Sequence, residues 1–535
     1  MKTFKVFSMT ALAIMMAACS NETEELTQPK AQEPVHFTAT INVGKATRAL
    51  SDDGTTIQAA WAVDEELAII HGGKINKAKV TELDGTKAKV ECTFTESTPA
   101  DGDDIVLCYP YSSVNSATAP YFNPALFSSQ TGTLTYISEN LDMRKADATI
   151  AVSGSKATLA ADVDMSTSAI TIMKVTLKNG KSTFTPPSGT LEVKVDGTTA
   201  AQLSGLTTNE AYIALPPFSN KSFELYTFGG SPTKYYYYTN DDVTLAANTY
   251  YKSTVPMWAQ VDLSTLTGAK ADYEAQDGDM LTGNAAADTQ ITVADGATIM
   301  IKNTDFTALT EYAGINCQYD ATIVLEGTNE VCGGNENRPG IFIKSGKTVT
   351  ITGNGSLHAF SKGYATGIGG GWGGEWASCG NITILGGTIV AEGGSRAAGI
   401  GLCNGLDNNG ICGAITINGG DVTAKSVSGQ AAIGIGGASN TCESVTFGTG
   451  IKKLVMDNAS AGSHTLQFFV NATAVYAGSV NLVTIAPMVL GKSLLEADLK
   501  DDPDATTITS TFASYGITSS YDSDSKVWTL TPAAP

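Results

Sequence analysis

Short alternating runs of apolar and polar residues dominate the first half of the chain. Runs such as "VHFTATINV", "KAKVECTF" and "TLEVKV" place apolar side chains at every second position, and glycine, aspartate, asparagine or proline separates the runs. A period of two matches a β-strand that buries one face. Because turn residues recur between the runs, residues 34–257 are predicted to form an antiparallel β-sandwich.

Four consecutive tyrosines, Tyr235–Tyr238, stand on one of these predicted strands. Successive residues of a strand point to opposite faces of the sheet, so the run presents aromatic rings to both. We expect these rings to pack against the core and leave one face partly exposed, and we do not assign them a ligand.

A repeat organises the second half of the chain. The dipeptide Gly-Ile recurs at Gly314-Ile315, Gly340-Ile341, Gly367-Ile368, Gly399-Ile400 and Gly434-Ile435. An alternating run follows each copy, and alignment puts five apolar residues at one position: Ile323, Val349, Ile382, Ile415 and Val445. Short strands that repeat in register between glycine turns are typical of a parallel β-helix. We therefore predict an all-β protein with a parallel β-helix over residues 258–487.

The segment "GIGGGWGG" at 367–374 superficially resembles a phosphate-binding loop. No helical pattern and no Lys-Ser or Lys-Thr pair follow it, as such a loop requires. We interpret its glycines as one corner of the repeat.

Residues 488–535 lack the repeat and are predicted to form a small C-terminal cap. The segment 492–505 has the pattern of a short helix, and "GITSSYDSDSKVWTLTP" has that of a hairpin. The alternative for the hairpin is a strand donated to another subunit.

The N-terminus carries the pattern of an export signal. Two lysines precede the apolar run "VFSMTALAIMMAA", so residues 1–18 are predicted to be a signal peptide. The segment "MAAC" at 16–19 resembles the lipobox of bacterial lipoproteins, which implies cleavage before Cys19 and a lipid on its thiol. The following "SNETEEL" resembles a surface-export signal, so the resemblance implies an outer-membrane anchor facing outward. Residues 19–33 are predicted to be an acidic tether, and a plain secretory peptide is the alternative.

The formal charge of the chain is −20, which disfavours nucleic acid as a partner because like charges repel. No Cys-x-x-Cys spacing occurs and the four histidines are scattered. We predict neither a metal site nor a cofactor.

Eight cysteines remain after Cys19, an even number in a chain predicted to be exported. They are Cys92, Cys108, Cys317, Cys332, Cys379, Cys403, Cys412 and Cys442. Disulfides persist outside the cytoplasm, so all eight are candidates for pairing. Cys92 and Cys108 stand on neighbouring predicted strands and are a candidate cross-strand pair.

Three of these cysteines, Cys379, Cys412 and Cys442, precede the same strand of successive repeats. Pairing between adjacent coils is the default expectation for them. Pairs of Cys317 with Cys332, or of Cys403 with Cys412, remain as alternatives.

Two consecutive repeats have the longest turns, and both turns stand at the same corner. Their polar and aromatic residues are Trp372, Glu375, Trp376, Asn404, Asp407, Asn408 and Asn409. Insertions in a solenoid gather on one face, which is often the binding face. Tryptophans beside amide and carboxylate groups suit sugar rings, so these residues form a candidate glycan-binding site. The alternative is that both tryptophans cap the core.

Three segments of the first half, "TRALSDDGTTIQAAWAVDEELAII", "DDIVLCYPYSSV" and "NTYYKSTVPM", resemble the fimbrillin family. Fimbrillins build surface pili from lipoprotein precursors. An arginine-specific protease removes an N-terminal segment, and a strand of a neighbouring subunit then fills the groove by strand addition. The matching arginine is Arg48, and the alternative is that it stays uncut.

The repeat resembles the right-handed β-helices of the pectate-lyase-like class. Those lyases use calcium held by several aspartates, with an arginine or lysine as base. The repeat offers mainly Glu375 and Asp407 as carboxylates, and Arg396 as the nearby arginine. Glycoside hydrolysis requires paired carboxylates at a cleft, and none is evident. We predict no catalytic residue.

These features lead us to expect a surface adhesion protein, an accessory or tip component of a fimbria whose β-helix meets a glycan or host surface. The alternatives are a polysaccharide lyase or hydrolase, and a pilus subunit in which the β-helix is a passive spacer.

Overall fold

Strands joined by tight turns make up most of the chain that the structure describes. The computed structural model describes residues 34–43, 51–52, 57–58, 61–266, 271–335, 337–404, 410–427, 432–436, 440–457, 480–485, 493–495, 517–522 and 527–532. The predicted signal peptide, Cys19, the tether, Arg48 and Asp407–Asn409 lie outside these residues. Among the described residues the helical elements are α1 Leu134–Asn140 and the 3₁₀ turns Tyr111–Ser113, Pro124–Ser128, Leu263–Thr265 and Gly374–Ala377.

Seven of the first ten strands build a closed barrel. The ten strands are β1 Val35–Asn42, β2 Ser51–Asp52, β3 Ile57–Gln58, β4 Glu66–His71, β5 Lys74–Asp84, β6 Lys87–Phe94, β7 Asp104–Tyr109, β8 Ser129–Gln130, β9 Arg144–Ser153 and β10 Lys156–Leu159. The barrel order is β1-β10-β9-β7-β4-β5-β6, which returns to β1. The sequence predicted an antiparallel β-sandwich over residues 34–257, and the difference arises because barrel closure depends on distant strands that the local pattern cannot pair.

β1 closes the barrel with two different neighbours. It pairs antiparallel with β6 along its whole length, from Val35–Phe94 to Asn42–Lys87. On its other side it pairs parallel with β10 through only His36–Lys156 and Phe37–Ala157. Its side chains alternate strictly between buried and exposed, as a period of two requires. The inward side chains of β1 therefore complete the barrel core.

A second unit has its own core between two sheets. Its strands are β11 Thr171–Asn179, β12 Ser182–Thr183, β13 Leu191–Val195, β14 Thr198–Leu203, β15 Glu210–Leu215, β16 Phe218–Gly229, β17 Lys234–Leu245, β18 Thr249–Pro256 and β19 Trp258–Asp262. β11 pairs with β12, β15 and β18 in one sheet. The other sheet contains β13, β14, β16, β17 and β19, and β8 pairs parallel with β14. Apolar side chains of both sheets, such as Val175 and Leu225, meet in one cluster.

The remaining strands up to residue 457 stack in parallel. They are β20 Ala271–Ala275, β21 Asp279–Asn284, β22 Thr289–Val293, β23 Ala297–Asp305, β24 Ile315–Cys317, β25 Ala321–Glu326, β26 Thr328–Gly333, β27 Ile341–Ile343, β28 Thr348–Gly353, β29 Ser356–Ser361, β30 Ile368–Gly369, β31 Asn381–Ile384, β32 Thr388–Gly393, β33 Ile400–Leu402, β34 Ile411–Ser426, β35 Ile433–Ile435 and β36 Thr441–Asp457. The chain passes alternately between two runs of parallel strands, one from β20 to β35 and one from β21 to β36. We call one full circuit of the chain through both runs a coil.

Most of the predicted register is confirmed by the strand pairings. Val349, Ile382, Ile415 and Val445 follow one another at one position of successive coils. Isoleucine, valine and leucine side chains of the coils are almost wholly buried in one continuous cluster. Each such side chain contributes on the order of 1.5–3 kcal/mol when fully buried, so the stacking of coils is what stabilises this region.

The alignment was wrong by two residues in the first and the last repeat. Ile323 pairs with Ile351, and Ile433 takes the predicted place of Ile435 against Ile400. A shift of two residues leaves the same face of a strand inward, so the hydrophobic pattern cannot detect it.

Glycine allows neighbouring coils to approach each other closely. Gly369, Gly401 and Gly434 follow one another in register, with φ of 132°, 126° and 118°. A Cβ atom on Gly401 would overlap the carbonyl oxygen of Gly434. Gly369 of "GIGGGWGG" thus allows close approach between coils, as the sequence indicated, because a side chain there has no space and an unfavourable φ; it lies in β30, where the sequence had predicted a corner.

The second unit and the coils share one run of paired strands. β19 pairs antiparallel with β17 through Trp258–Tyr237 and Gln260–Tyr235, and parallel with β21 through Val261–Leu281. The predicted domain boundary between residues 257 and 258 therefore falls inside a continuous sheet.

Beyond β36 the described strands are β37 Val480–Ile485, β38 Ser493–Leu495, β39 Ile517–Asp522 and β40 Val527–Pro532. β39 and β40 pair antiparallel, which confirms the predicted hairpin. The helix predicted over 492–505 is wrong at 493–495, because β38 pairs there with β40.

Candidate functional site

Five aromatic residues share the outer face of the second unit. Tyr226 and Phe228 on β16 lie opposite Tyr237 and Tyr235 on β17, and Trp258 on β19 lies opposite Tyr237. Residues directly opposite each other on paired strands point to the same side of a sheet. Tyr226, Phe228, Tyr235, Tyr237 and Trp258 form what we call the aromatic face.

Four rings of the aromatic face lie beside one another, and two of them are largely open to solvent. Phe228 is 45% exposed and Tyr235 is 46% exposed. Tyr226 lies 6.2 Å from Phe228 and 6.3 Å from Tyr235 between ring centroids, and its plane is within 28° and 14° of theirs. Tyr237 lies 5.0 Å from Tyr226. Nearly parallel, offset rings produce a broad apolar surface instead of isolated contacts.

Hydrogen-bonding groups border this surface. Glu192 on β13 lies opposite Tyr226, and Gln260 on β19 lies opposite Tyr235. The Lys194 ammonium lies 5.8 Å from the ring centroid of Tyr226 and 3.9 Å from a Glu192 carboxylate oxygen. Burial raises the pKa of Tyr226, which favours the neutral phenol. The face therefore combines apolar ring surface with neutral and charged hydrogen-bonding groups at its edges.

The tyrosine run divides between core and surface, as its strand position predicts. Tyr236 and Tyr238 pack against the core of the second unit, while Tyr235 and Tyr237 point outward. The sequence did not reveal that "LYTF" at 225–228 places two further rings beside them. That juxtaposition depends on the β16–β17 register. Alternating aromatics in two runs separated by "GGSPT" would have been the available signal.

The predicted long-loop corner brings both tryptophans into contact with residues of the preceding coil. Trp376 lies 4.1 Å from Phe342 between ring centroids, and the Arg338 guanidinium lies 4.1 Å from the Trp376 ring. Trp372 lies 5.2 Å from Tyr364. Both tryptophans are half-buried, so part of each ring caps the coils and part remains accessible.

The two long loops touch, as predicted. The amide of Ile411 donates to the Ser378 hydroxyl at 3.1 Å, and the Cys403 thiol donates to the carbonyl of Gly371 at 2.8 Å. Asn404 is the residue that follows Cys403 in the sequence. Glu375 is exposed in the turn Gly374–Ala377.

Arg338 is a charged residue of this corner that sequence reasoning missed. Burial lowers the pKa of Arg338, and the charge of nearby Glu375 opposes that shift. The two residues stand on loops of successive coils, so only the stacking register places them together.

The described cysteines are all thiols, and all are buried. Cys92 on β6 and Cys108 on β7 are separated by β5 and β4 in the barrel, so the predicted pair cannot form without rearrangement. Burial raises the pKa of Cys108 to about 12. The alternation of each run was correct, and the order of the strands around the barrel was not available from it.

Cys379 and Cys412 have the closest sulfur atoms described, 2.7 Å apart. Contacts with the neighbouring thiols, and then burial, hold the pKa of Cys412 well above its usual value. Cys332 donates to the carbonyl of Gly333 at 3.2 Å, and burial raises the pKa of Cys317 to about 12.

Within the residues that the structure describes, no helix has the length and apolarity to cross a bilayer. The same residues contain no group of three or more His, Cys, Asp or Glu side chains arranged to hold a metal ion.

No family profile and no curated protein matches the chain. It is similar to a crystal structure of a fimbrial assembly protein from Parabacteroides distasonis, with 10% sequence identity and a TM-score of 0.23. The match covers 41% of this chain and 90% of that chain. A TM-score this low establishes neither the fold nor the role of this chain.

Proposed function

We propose that the protein is a cell-surface adhesion protein that binds carbohydrate and belongs to a fimbria as an accessory or tip component. The observation that carries the carbohydrate part is the aromatic face, where solvent-exposed rings lie side by side on a rigid sheet. The fimbrial part rests on the fimbrillin-like motifs and on the position of β1.

The chemistry of the aromatic face suits a neutral polysaccharide. A pyranose ring presents C–H groups on its faces and hydroxyl groups at its edge, so it packs on an aromatic ring and hydrogen-bonds to groups beside it. Glu192, Gln260 and the tyrosine hydroxyls supply those groups. The charge of −20 on the chain opposes an acidic ligand.

The long-loop corner is the second surface in this proposal. Trp372 and Trp376 keep accessible ring surface, and Arg338 and Glu375 offer charged hydrogen-bonding groups beside them. Asn404, Asp407, Asn408 and Asn409 belong to the same proposed site. A ligand bound there would lie across successive coils. The stacked strands of these coils form the proposed parallel β-helix.

Assembly into a fimbria would use β1. This strand lies wholly before Arg48, so cleavage there would detach it from the rest of the chain. Four inward side chains would leave with it, opening an apolar groove between β6 and β10. A strand of another subunit with the same alternation would restore both sets of backbone hydrogen bonds.

The proposal also includes a membrane anchor and the order of the structural units along the chain. A lipid on Cys19 would hold the chain to the outer membrane through the tether. The barrel and then the two-sheet unit would follow the tether along the chain. Residues 488–535 would cap the coils. The protein would act by binding alone. A lyase or hydrolase on the coils, and a passive spacer, are the alternatives.

Binding to carbohydrate tests this function directly. We expect residues 20–535, the chain without its signal peptide and Cys19, to be retained on at least one insoluble neutral polysaccharide of a panel, without release of sugars. Replacing Phe228 and Tyr235 by alanine together should weaken binding about tenfold to hundredfold, because each exposed ring at a binding hot spot is worth more than about 1 kcal/mol. Dissociation constants from titration with soluble oligosaccharides measure the effect.

Two matched variants separate the surfaces. Tyr319→Ala removes a ring that is 41% exposed elsewhere on the coils, and it should leave affinity unchanged. Trp372→Ala with Trp376→Ala tests the long-loop corner. Loss of binding in that variant alone would move the site to the corner. Release of unsaturated or reducing sugars would establish the enzyme alternative, and retention on no polysaccharide would leave the spacer.

A further inference from the structure

Three cysteines form a column through successive coils. Cys379 is bridged in parallel to Cys412, and Cys412 pairs in register with Cys442. Each of the three side chains is at most 1% exposed. The column lies inside the continuous apolar cluster of the coils, away from the aromatic face.

The first two members of the column meet the geometric requirement of a disulfide. Adjacent parallel strands lie about 4.8 Å apart, inside the range of about 4.4–6.8 Å between Cα atoms that a disulfide allows. Their sulfur atoms are 2.7 Å apart, closer than two non-bonded sulfur atoms normally approach. The strand spacing and the short distance between the sulfur atoms are therefore both compatible with a bond between them.

We propose that Cys379 and Cys412 form a disulfide that ties two successive coils together, and that Cys442 remains a thiol beside it. The two thiols lose two protons and two electrons to a disulfide-bearing oxidant, such as an oxidised dithiol protein or oxidised glutathione. One S–S bond forms between Cys379 and Cys412, and the S–S bond of the oxidant breaks to give two thiols.

The other nearby thiols also have backbone carbonyl partners. Cys403 donates to the carbonyl of Gly371 at 2.8 Å, and Cys442 points to the carbonyls of Gly413 and Ser444 at 3.5 and 3.6 Å. Cys442 is nevertheless the register neighbour of Cys412. Thiol–disulfide exchange would move the bond to Cys412–Cys442, so Cys442 is the competing partner.

Burial also indicates when the bond forms. A thiolate is the attacking species in disulfide formation, and a raised pKa keeps the Cys412 thiol protonated in the folded protein. The bond therefore forms while the coils assemble, and it is slow to form in a protein that folded reduced. Once formed, it closes a loop between positions separated by 33 residues, which contains Asn404.

Peptide mapping of the unmodified mature chain tests the proposal. The protein is refolded with oxidised glutathione, alkylated under denaturing conditions, and digested with trypsin and endoproteinase Asp-N. Cleavage after Lys362, Arg396 and Lys425 and before Asp407 puts Cys379, Cys403, Cys412 and Cys442 on four different peptides. We expect one crosslinked product, between the peptides of Cys379 and Cys412, that disappears on reduction.

Other products would overturn the proposal. Complete alkylation of both cysteines after oxidative refolding would show that the column stays reduced, and a crosslink that includes Cys403 or Cys442 would assign the bond elsewhere. A Cys442→Ala variant should give the same Cys379–Cys412 crosslink, whereas its loss there would make Cys442 a necessary partner and contradict the assignment. None of these outcomes depends on carbohydrate binding.

Discussion

A chain that lacks residues 1–48 is expected to lose the closed barrel and to regain it when a peptide of residues 34–43 is added. The truncated chain loses the buried side chains of Val35, Phe37 and Ile41. At about 1.5–3 kcal/mol each, their removal costs roughly 5–9 kcal/mol, comparable to the whole stability of many domains. The exposed groove between β6 and β10 should then bind a hydrophobic dye such as ANS.

The strict alternation of β1 provides a matched pair of peptide variants. A peptide with Phe37→Asp places a carboxylate in the core and should fail to bind. A peptide with Thr38→Asp changes an exposed position and should bind about as well as the native peptide. Fluorescence anisotropy of labelled peptides measures both. A truncated chain that unfolds at the same temperature as the intact chain, and binds neither peptide, would contradict the role of β1.

Replacing Gly401 by alanine is expected to destabilise the coils by about 2–6 kcal/mol, the combined cost of backbone strain and overpacking. Gly401 has φ of 126°, and its added Cβ would overlap the carbonyl oxygen of Gly434 in the next coil. A coil cannot move away from its neighbour without losing the register of Ile400 and Leu402 on either side. The melting temperature of the coils, followed by circular dichroism, should fall by roughly 5–20 °C.

Gly346 provides the matched control for that substitution. It also has a positive φ, 77°, but nothing lies within 4 Å of a Cβ added there. Gly346→Ala should therefore cost only about 1 kcal/mol, the usual penalty of a left-handed alanine. Equal effects of the two substitutions would show that contact between coils is not what glycine serves at position 401.

The sequence predicted those parts of the fold that follow from local alternation. It revealed the repeat, the inward positions such as Ile382 and Ile415, and the use of glycine where coils approach closely, because each follows from a pattern of residues that are near each other in the sequence. It did not reveal the closed barrel, because the His36–Lys156 pairing joins distant strands through only two residue pairs. The two register errors have the same origin, since a shift of two residues preserves the pattern.

The candidate surfaces also differ in whether the local sequence pattern predicts them. The contact between the two long loops was predicted, since equal corners of successive coils must stack. The aromatic face was not, because Phe228 meets Tyr235 only after β16 and β17 pair. Arg338 was missed for a related reason, as it reaches Trp376 from another coil.

The strand β19 determines how mechanical tension would travel through the molecule. It is hydrogen-bonded on one side to β17 and on the other to β21, and the Asn179 side chain donates to the carbonyls of Met257 and Gly278 at 2.8 and 2.9 Å. A pull on the coils therefore reaches the two-sheet unit through several backbone hydrogen bonds that share the load, with no extensible linker between them. A particle held by the coils would follow the movement of the two-sheet unit with little slack.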